Sequence, residues 1–369
     1  LFNGSVRIKH HGQTEYEFQD HFTLRCDGFV MAMGSNLRKQ RERGLDKLYN
    51  DDGTPISNYI ISTGGFKWHG DHESPMTQTD LPHDEPDVKI IVFGSGLSGA
   101  GVTSQLGGAD FSGSIHMISS SGLLPKTAAI EKKHYNLQLI TDANLPTTAN
   151  EVKSLVMEEV KLAQSQGYFW QNVIDAITRP MINGLSFANK MWQNLPFGEK
   201  KSLYQDGSLG FWRSVRNRMS IPIANGIDKM GDRFQCEGGK IQDVIPINGG
   251  EDGFKVIYTD KNGDTQSIEA DFIINTTGLE ACISNSHNPL VRNLDRNDRI
   301  QPGGFGKGIM VDKHLRVINP ATGKADSNMF VIGVHSAGEQ FLETALIPHM
   351  CAMIDNQLMS NFQAELSRV

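Results

Sequence analysis

An α/β fold with parallel strands is predicted by three stretches of this sequence. "VKIIVFGSGLSGAGVTSQL", Val88 to Leu106, reads as an apolar strand, a glycine turn and a helix. "GSIHMISSSG", 113–122, supplies a second strand and completes a βαβ unit. "FKVIYTDKNGDTQSIEADFIINTTG", 254–278, is a hairpin with an Asn-Gly turn that runs into a core strand ending in glycine.

In chain order, Val6 to Gly34 carries short β-type runs broken by polar residues, a meander closing on the buried strand of "DGFVMAMG". Residues 37–87, with "RERGLDK", "NDDGTP" and "HDEPD", are polar and turn-rich, which predicts a connection with little core of its own. The βαβ unit follows, with its helix from about Ser98. Residues 150–230 change to helical spacing, as in "NEVKSLVMEEVKLAQSQ", where Val152, Leu155, Val156, Val160 and Leu162 recur near one face, so a helical insertion is expected. The chain then repeats itself: "DGFVMAMG" at 27–34 and "DFIINTTG" at 271–278 each run from Asp through an apolar strand to a glycine, and each follows a meander.

Composition bounds the function. The 369 residues, 38% of them hydrophobic, suffice for two or three domains with cores of their own. A formal net charge of −7 argues against a nucleic-acid or anionic-membrane surface and for small-molecule partners. Cys26, Cys236, Cys282 and Cys351 form no CxxC pair, so neither a zinc knuckle nor a dithiol redox centre is spelled out. No apolar run approaches the ~18 residues of a membrane span, and the opening residues lack a signal-peptide pattern; the expectation is a cytoplasmic protein.

The chemistry concentrates in "GSGLSG". Gly94 permits the tight turn after the strand, Gly96 lets the backbone approach a pyrophosphate, and Gly99 lets the helix lie close to the sheet. Ser95, Leu97 and Ser98 complete the turn, and the helix N-terminus offers N–H groups to phosphate. The glycine motif alone is weak; framed by strand, helix and second strand it predicts a dinucleotide site. An NAD-type site would place Asp or Glu at the end of the second strand, where Ser119, Ser120 and Ser121 stand instead. These serines suit a 2′-phosphate or a plain polar loop. In "FWRSVRNRMS", Arg213, Arg216 and Arg218 fit either a phosphate clamp or a solvated basic face. "NMFVIGVHSAGEQFLETALIPHM", 328–350, predicts a strand ending at Gly333 and a helix starting near Glu343, with His335, Glu339 and Glu343 as ligand-facing or structural polar groups. No Ser-His-Asp or metal-ligand spacing stands out, and no catalytic side chain is assigned.

The succession "GSGLSG", "GSIHMISSSGLLP", "FWQNVIDAITRP", "MWQNLP", "FWRSVRNRM", "FIINTTGLE", "NPLVRNL", "GIMVDKHLRV" and "FVIGVHSAGEQFLETALIP" resembles the FAD/NAD(P)-binding oxidoreductases of the YdhS-like type, relatives of flavin-dependent N-hydroxylating and urate-hydroxylating monooxygenases. The resemblance covers most of the chain. It implies two Rossmann-like dinucleotide-binding domains with a helical insertion, one domain for FAD and one for NAD(P)H. Residues 1–36 would belong to the FAD-binding domain, 88–280 to the NAD(P)-binding domain and 281–369 to the return into the first, with FAD near Gly34, Gly333, Glu343 and Thr344. Gly278 would close the second domain, and Arg216, Arg218 and Met219 match a basic motif of the family. Two departures stand out: serines where relatives commonly carry arginines, and no first GxGxxG within residues 1–369, so the chain is expected to begin inside a nucleotide-binding domain. The implied activity is reduction of FAD by NAD(P)H, with hydroxylation of a small nitrogenous substrate, reduction of another acceptor, or nucleotide binding without turnover as the outcomes to separate.

Overall fold

A computed structural model describes residues 2–8, 17–24, 29–31, 45–50, 56–61, 87–108, 111–131, 133–179, 186–277, 282–286, 288–312 and 314–336. The strands in chain order are β1 (Phe2–Ile8), β2 (Glu17–Leu24), β3 (Phe29–Met31), β4 (Tyr59–Ile61), β5 (Lys89–Phe93), β6 (Ser114–Ser119), β7 (Phe234–Pro246), β8 (Phe254–Asp260), β9 (Thr265–Ala270), β10 (Phe272–Asn275), β11 (Arg316–Ile318) and β12 (Ala325–Val331). The α-helices are α1 (Leu97–Gly108), α2 (Ala149–Ser165), α3 (Trp170–Thr178), α4 (Phe187–Asn194), α5 (Phe197–Gln205), α6 (Ser208–Arg216), α7 (Ile221–Asp228) and α8 (Pro289–Arg296). Contacts divide the chain into one unit of Ser35–Pro180 and Leu185–Glu280 and another of Leu1–Gly34, Met181–Gly184 and Ala281–Val369.

The first of these units is built on a seven-stranded sheet of order β4-β10-β5-β6-β7-β8-β9. The strands from β4 to β7 pair in parallel, and β7, β8 and β9 form an antiparallel meander. Central β5, flanked by β10 and β6, is buried at every position after Lys89, which is why "KIIVF" reads as an unbroken apolar run. β8 has a more exposed face and alternates, with Phe254, Val256 and Tyr258 turned inward.

Three expectations change here. The 37–87 connection contributes to the core: Leu45, Leu48, Tyr59 and Ile60 are buried, and β4 pairs with β10. Its apolar groups are too short and scattered to show a period; tertiary pairing gathers them. The β8–β9 link is a four-residue loop rather than a two-residue Asn-Gly turn, with Gly263 alone in the left-handed region and Asp260 N donating to Asp264 O at 2.9 Å. On α2 the stripe of Val152, Leu155, Val156, Val160 and Leu162 is half-buried, and its fully buried side chains include Glu159. That carboxylate accepts from Tyr135 Oη at 2.6 Å and from the backbone of Gln138, Leu139 and Ile140 at 3.0, 2.7 and 2.9 Å, which satisfies it without a counter-ion.

The helical insertion is α2 to α7. A capping box starts α2: Thr148 Oγ1 accepts from Glu151 N at 3.2 Å and Glu151 Oε2 from Thr148 N at 3.1 Å. α7 returns to α1 so closely that a Cβ on Gly107 would overlap the Gly226 carbonyl. Within the other unit, β12 pairs in parallel with β3 and antiparallel with β11. The two octamers that resemble each other in sequence therefore both form short strands entering parallel pairing, β3 after the β1–β2 hairpin and β10 after the β7–β8–β9 meander. Among the described residues, no helix is long and apolar enough to cross a membrane.

Candidate dinucleotide site

β5 ends at Phe93 and the chain turns at once into α1, with Gly94 at φ +99°. The turn is fixed from both neighbouring strands. Gly94 N donates to Ile118 O at 2.9 Å, and Thr276 N donates to Phe93 O at 2.8 Å. Thr276 Oγ1 also faces the carbonyls of Phe93 and Gly94 at 2.8 and 2.9 Å.

The three glycines differ in what a side chain would meet. At Gly94 a Cβ would be 2.9 Å from Thr276 O in a strained conformation, and at Gly99 it would overlap Gly94 O and lie 3.0 Å from Thr276 Oγ1. At Gly96 it would meet nothing within 4 Å. Gly94 and Gly99 thus hold the helix against the strand end, while exposed Gly96 leaves the backbone open beside the first turn of α1. Open α/β sheets bind ligands at this carboxyl end. A groove of ≈ 490 Å³ lined by Lys89, Ser114, His116, Asp232, Arg233 and Glu269 lies instead at the amino ends of β5 and β6, away from the glycine turn.

The serines form a directed chain. Ser95 Oγ donates to Leu123 O at 2.8 Å, so the 2.7 Å contact between Ser95 and Ser119 takes its proton from Ser119, whose oxygen accepts from Gly122 N at 3.0 Å. Ser95 and Ser119 are therefore committed to tying the glycine turn to the loop after β6. Ser121 Oγ accepts from Leu123 N at 3.3 Å, and Ser120 is the exposed serine of the three.

The predicted residues Gly94, Ser95, Gly96, Leu97, Ser98, Gly99, Ser119 and Ser120 are thus gathered at the carboxyl ends of β5 and β6. The arginines part company. Arg213 is exposed, Arg216 is buried with Nη1 donating to Asn217 Oδ1 at 2.9 Å, and Arg218 is paired with Asp175 and lies 5.9 Å from the Trp170 ring centre. Arg218 ties the chain after α6 to α3 through Asp175, Arg216 bonds its own neighbour, and Met219 bridges to Thr127. α6 nevertheless reaches the β6 exit, since a Cβ on Gly210 would lie 3.0 Å from Ser121 Cβ and Lys126 N donates to Ser214 O at 2.8 Å.

In the other unit Gly333 follows β12 at φ +80°, and Ile332 N donates to Met31 O at 3.1 Å. His335 is buried, its carbonyl accepting from Ile309 N at 2.6 Å. Gly34, Gly278, Glu339, Glu343 and Thr344 lie outside the described residues. Among the described residues no cluster of His, Cys, Asp or Glu is arranged to hold a metal ion.

Two residues escaped sequence reasoning. Thr276 lies in a quoted segment, but its role needs β10 to lie beside β5. Lys261, in the β8–β9 loop, lies with its Cγ, Cδ and Cε against Gly238, and Gly238 in turn packs against Gly122. Burial pushes the neighbouring Cys236 thiol up to about 11, with Lys261 opposing that rise.

No protein-family model matches the chain, and no curated protein matches it. Solved structures do show similarity. A cadaverine monooxygenase of desferrioxamine biosynthesis from Erwinia amylovora, bound to FAD, is 12% identical over 77% of this chain and 52% of its own, with a TM-score of 0.44. An ornithine N-hydroxylase from Kutzneria sp. 744 is 13% identical over 77% and 54%, with a TM-score of 0.43. L-lysine 6-monooxygenase from Pseudomonas syringae is 14% identical over 98% and 70%, with a TM-score of 0.44. The chain spans about half the length of the first two.

Proposed function

We propose that the chain is a flavin-dependent oxidoreductase that binds NAD(P)H at the Gly94–Gly99 turn and uses it to reduce FAD. The observation that carries the reading is the division of labour among the glycines: two sites closed to a side chain and one, Gly96, open where a pyrophosphate would approach. The residues therefore fit a dinucleotide. Gly94, Gly96, Gly99 and the first turn of α1 would hold its phosphates, and Thr276 keeps that turn in place. FAD is assigned to the unit containing β3, β12 and Gly333, on the sequence resemblance and on the shared pattern of antiparallel strands followed by a short parallel strand. When bound, the flavin supplies the redox chemistry, accepting hydride from the nicotinamide and passing electrons to an acceptor.

The acceptor we propose is O₂, with hydroxylation of a small nitrogenous substrate, a reading carried by the resemblance; a reductase acting on another acceptor is the alternative. The test is spectroscopic. The full chain, incubated with FAD and freed of excess ligand by gel filtration, is expected to show flavin absorbance that bleaches with anaerobic NADPH. A colourless protein that still binds nicotinamide would leave a nucleotide-binding protein without turnover, and one that binds neither would sink the proposal. Substrate-dependent O₂ consumption then separates hydroxylase from reductase.

A further inference from the structure

We infer that Lys261, together with Ser120, forms a subsite for the 2′-phosphate of NADPH and makes this chain prefer NADPH to NADH. The inference rests on the nicotinamide site proposed above and adds the residue that sets its specificity.

The ribose 2′ position of a dinucleotide at this kind of turn lies at the end of the second strand. Here that is the end of β6, where an NAD-type carboxylate is replaced by Ser119-Ser120-Ser121. Ser119 gives its proton to Ser95, and Ser121 accepts from Leu123 N, so exposed Ser120 is the hydroxyl turned to solvent. A phosphate needs a cation as well, and none adjoins the serines in sequence.

The fold brings one from 140 residues downstream. β7 runs parallel to β6 with Ser119 opposite Gly238, then continues beyond β6 to pair with β8, Gly239 opposite Asp260. The β8–β9 loop therefore starts level with the carboxyl end of β6, one strand further across. Lys261 crosses back over Gly238, where the absence of a side chain leaves its stem room, and Gly238 packs on Gly122 in the serine loop. Glu237, the nearest carboxylate on this strand, is bonded to His116 Nε2 at 2.6 Å. Lys261 is exposed, so its ammonium is free to adjust to a ligand.

The test compares dissociation constants for NADPH and NADH by titration calorimetry on the full chain and on K261A, K261R and R213A, with thermal melts to confirm folding. Wild type is expected to bind NADPH about tenfold or more tightly than NADH, as one charge-assisted phosphate contact allows. K261A is expected to lose most of that preference by weakening NADPH alone, and K261R to keep it. Equal loss for both nucleotides in K261A, no loss, or no preference in wild type would overturn the inference while leaving the nicotinamide site standing. Loss of preference in R213A but not K261A would overturn it in favour of the α6 side of the loop. Failure of wild type to bind either nucleotide would remove the site itself.

Discussion

At the scale of single residues, glycines at similar spacing in one turn do different jobs, and substitution separates them. Gly96→Val adds a side chain in open space at an ordinary φ, so its melting temperature is expected to stay within about 2 °C of wild type. Nucleotide binding is expected to fall at least tenfold, because the added methyls occupy the approach of the pyrophosphate. Gly99→Ala puts a Cβ onto the Gly94 carbonyl and is expected to lose both stability and binding, by calorimetric melt and titration. Thr276→Val keeps shape but removes a hydroxyl facing two carbonyls; a cost of about 1–2 kcal/mol in urea unfolding, with weakened NAD(P)H binding, is expected. The turn and packing roles of Gly94 and Gly99 were legible from sequence because a turn between strand and helix constrains its own neighbours. Thr276 was not, because its partners lie more than 180 residues away.

At the scale of elements, the insertion is held by polar bonds as much as by apolar ones. Glu159 staples the 138–140 backbone to α2, and Glu159→Ala strands the buried Ile140 N–H and Tyr135 hydroxyl together with the part-buried N–H groups of Gln138 and Leu139; a loss of about 3 kcal/mol in urea unfolding is expected. Asp206, at the end of α5, joins α2 through Lys153 at 2.6 Å and caps Ser208 N at 2.8 Å. Burial works to raise its pKa, but the bonds from Lys153 and Ser208 win and hold it at about 2, below the usual 3.8. Since the folded value is the depressed one, the stabilisation is present above pH 3.8 and lost as pH falls towards 2. D206N is expected to flatten that part of the melting-temperature profile. The existence and order of strand, helix and insertion were legible from periodicity; the buried carboxylate at the heart of α2 was not, since a polar residue on a helical stripe reads as its edge.

At the scale of the whole molecule, the two similar octamers each follow antiparallel strands, a hairpin before β3 and a meander before β10, and each enters parallel pairing; the proposed reaction assigns one nucleotide to each. Denaturant unfolding followed by nicotinamide protection is expected to show NADPH stabilising the unit that carries Gly94, as hydrogen exchange slowed in β5, α1 and β10. Slowing confined to β3, β11 and β12 would reverse the assignment. The sequence by itself determined the α/β class, the place of the glycine turn, the helical insertion and the absence of a carboxylate at the end of β6, because each is written in residues close along the chain, where spacing and backbone freedom act directly. Only the tertiary structure decided that the polar 37–87 stretch lends Leu45, Leu48 and Tyr59 to the core, that Arg218 pairs with Asp175 of α3, and that Lys261 lies against Gly238. Those outcomes depend on which strands pair, and strand pairing joins residues that no local pattern connects.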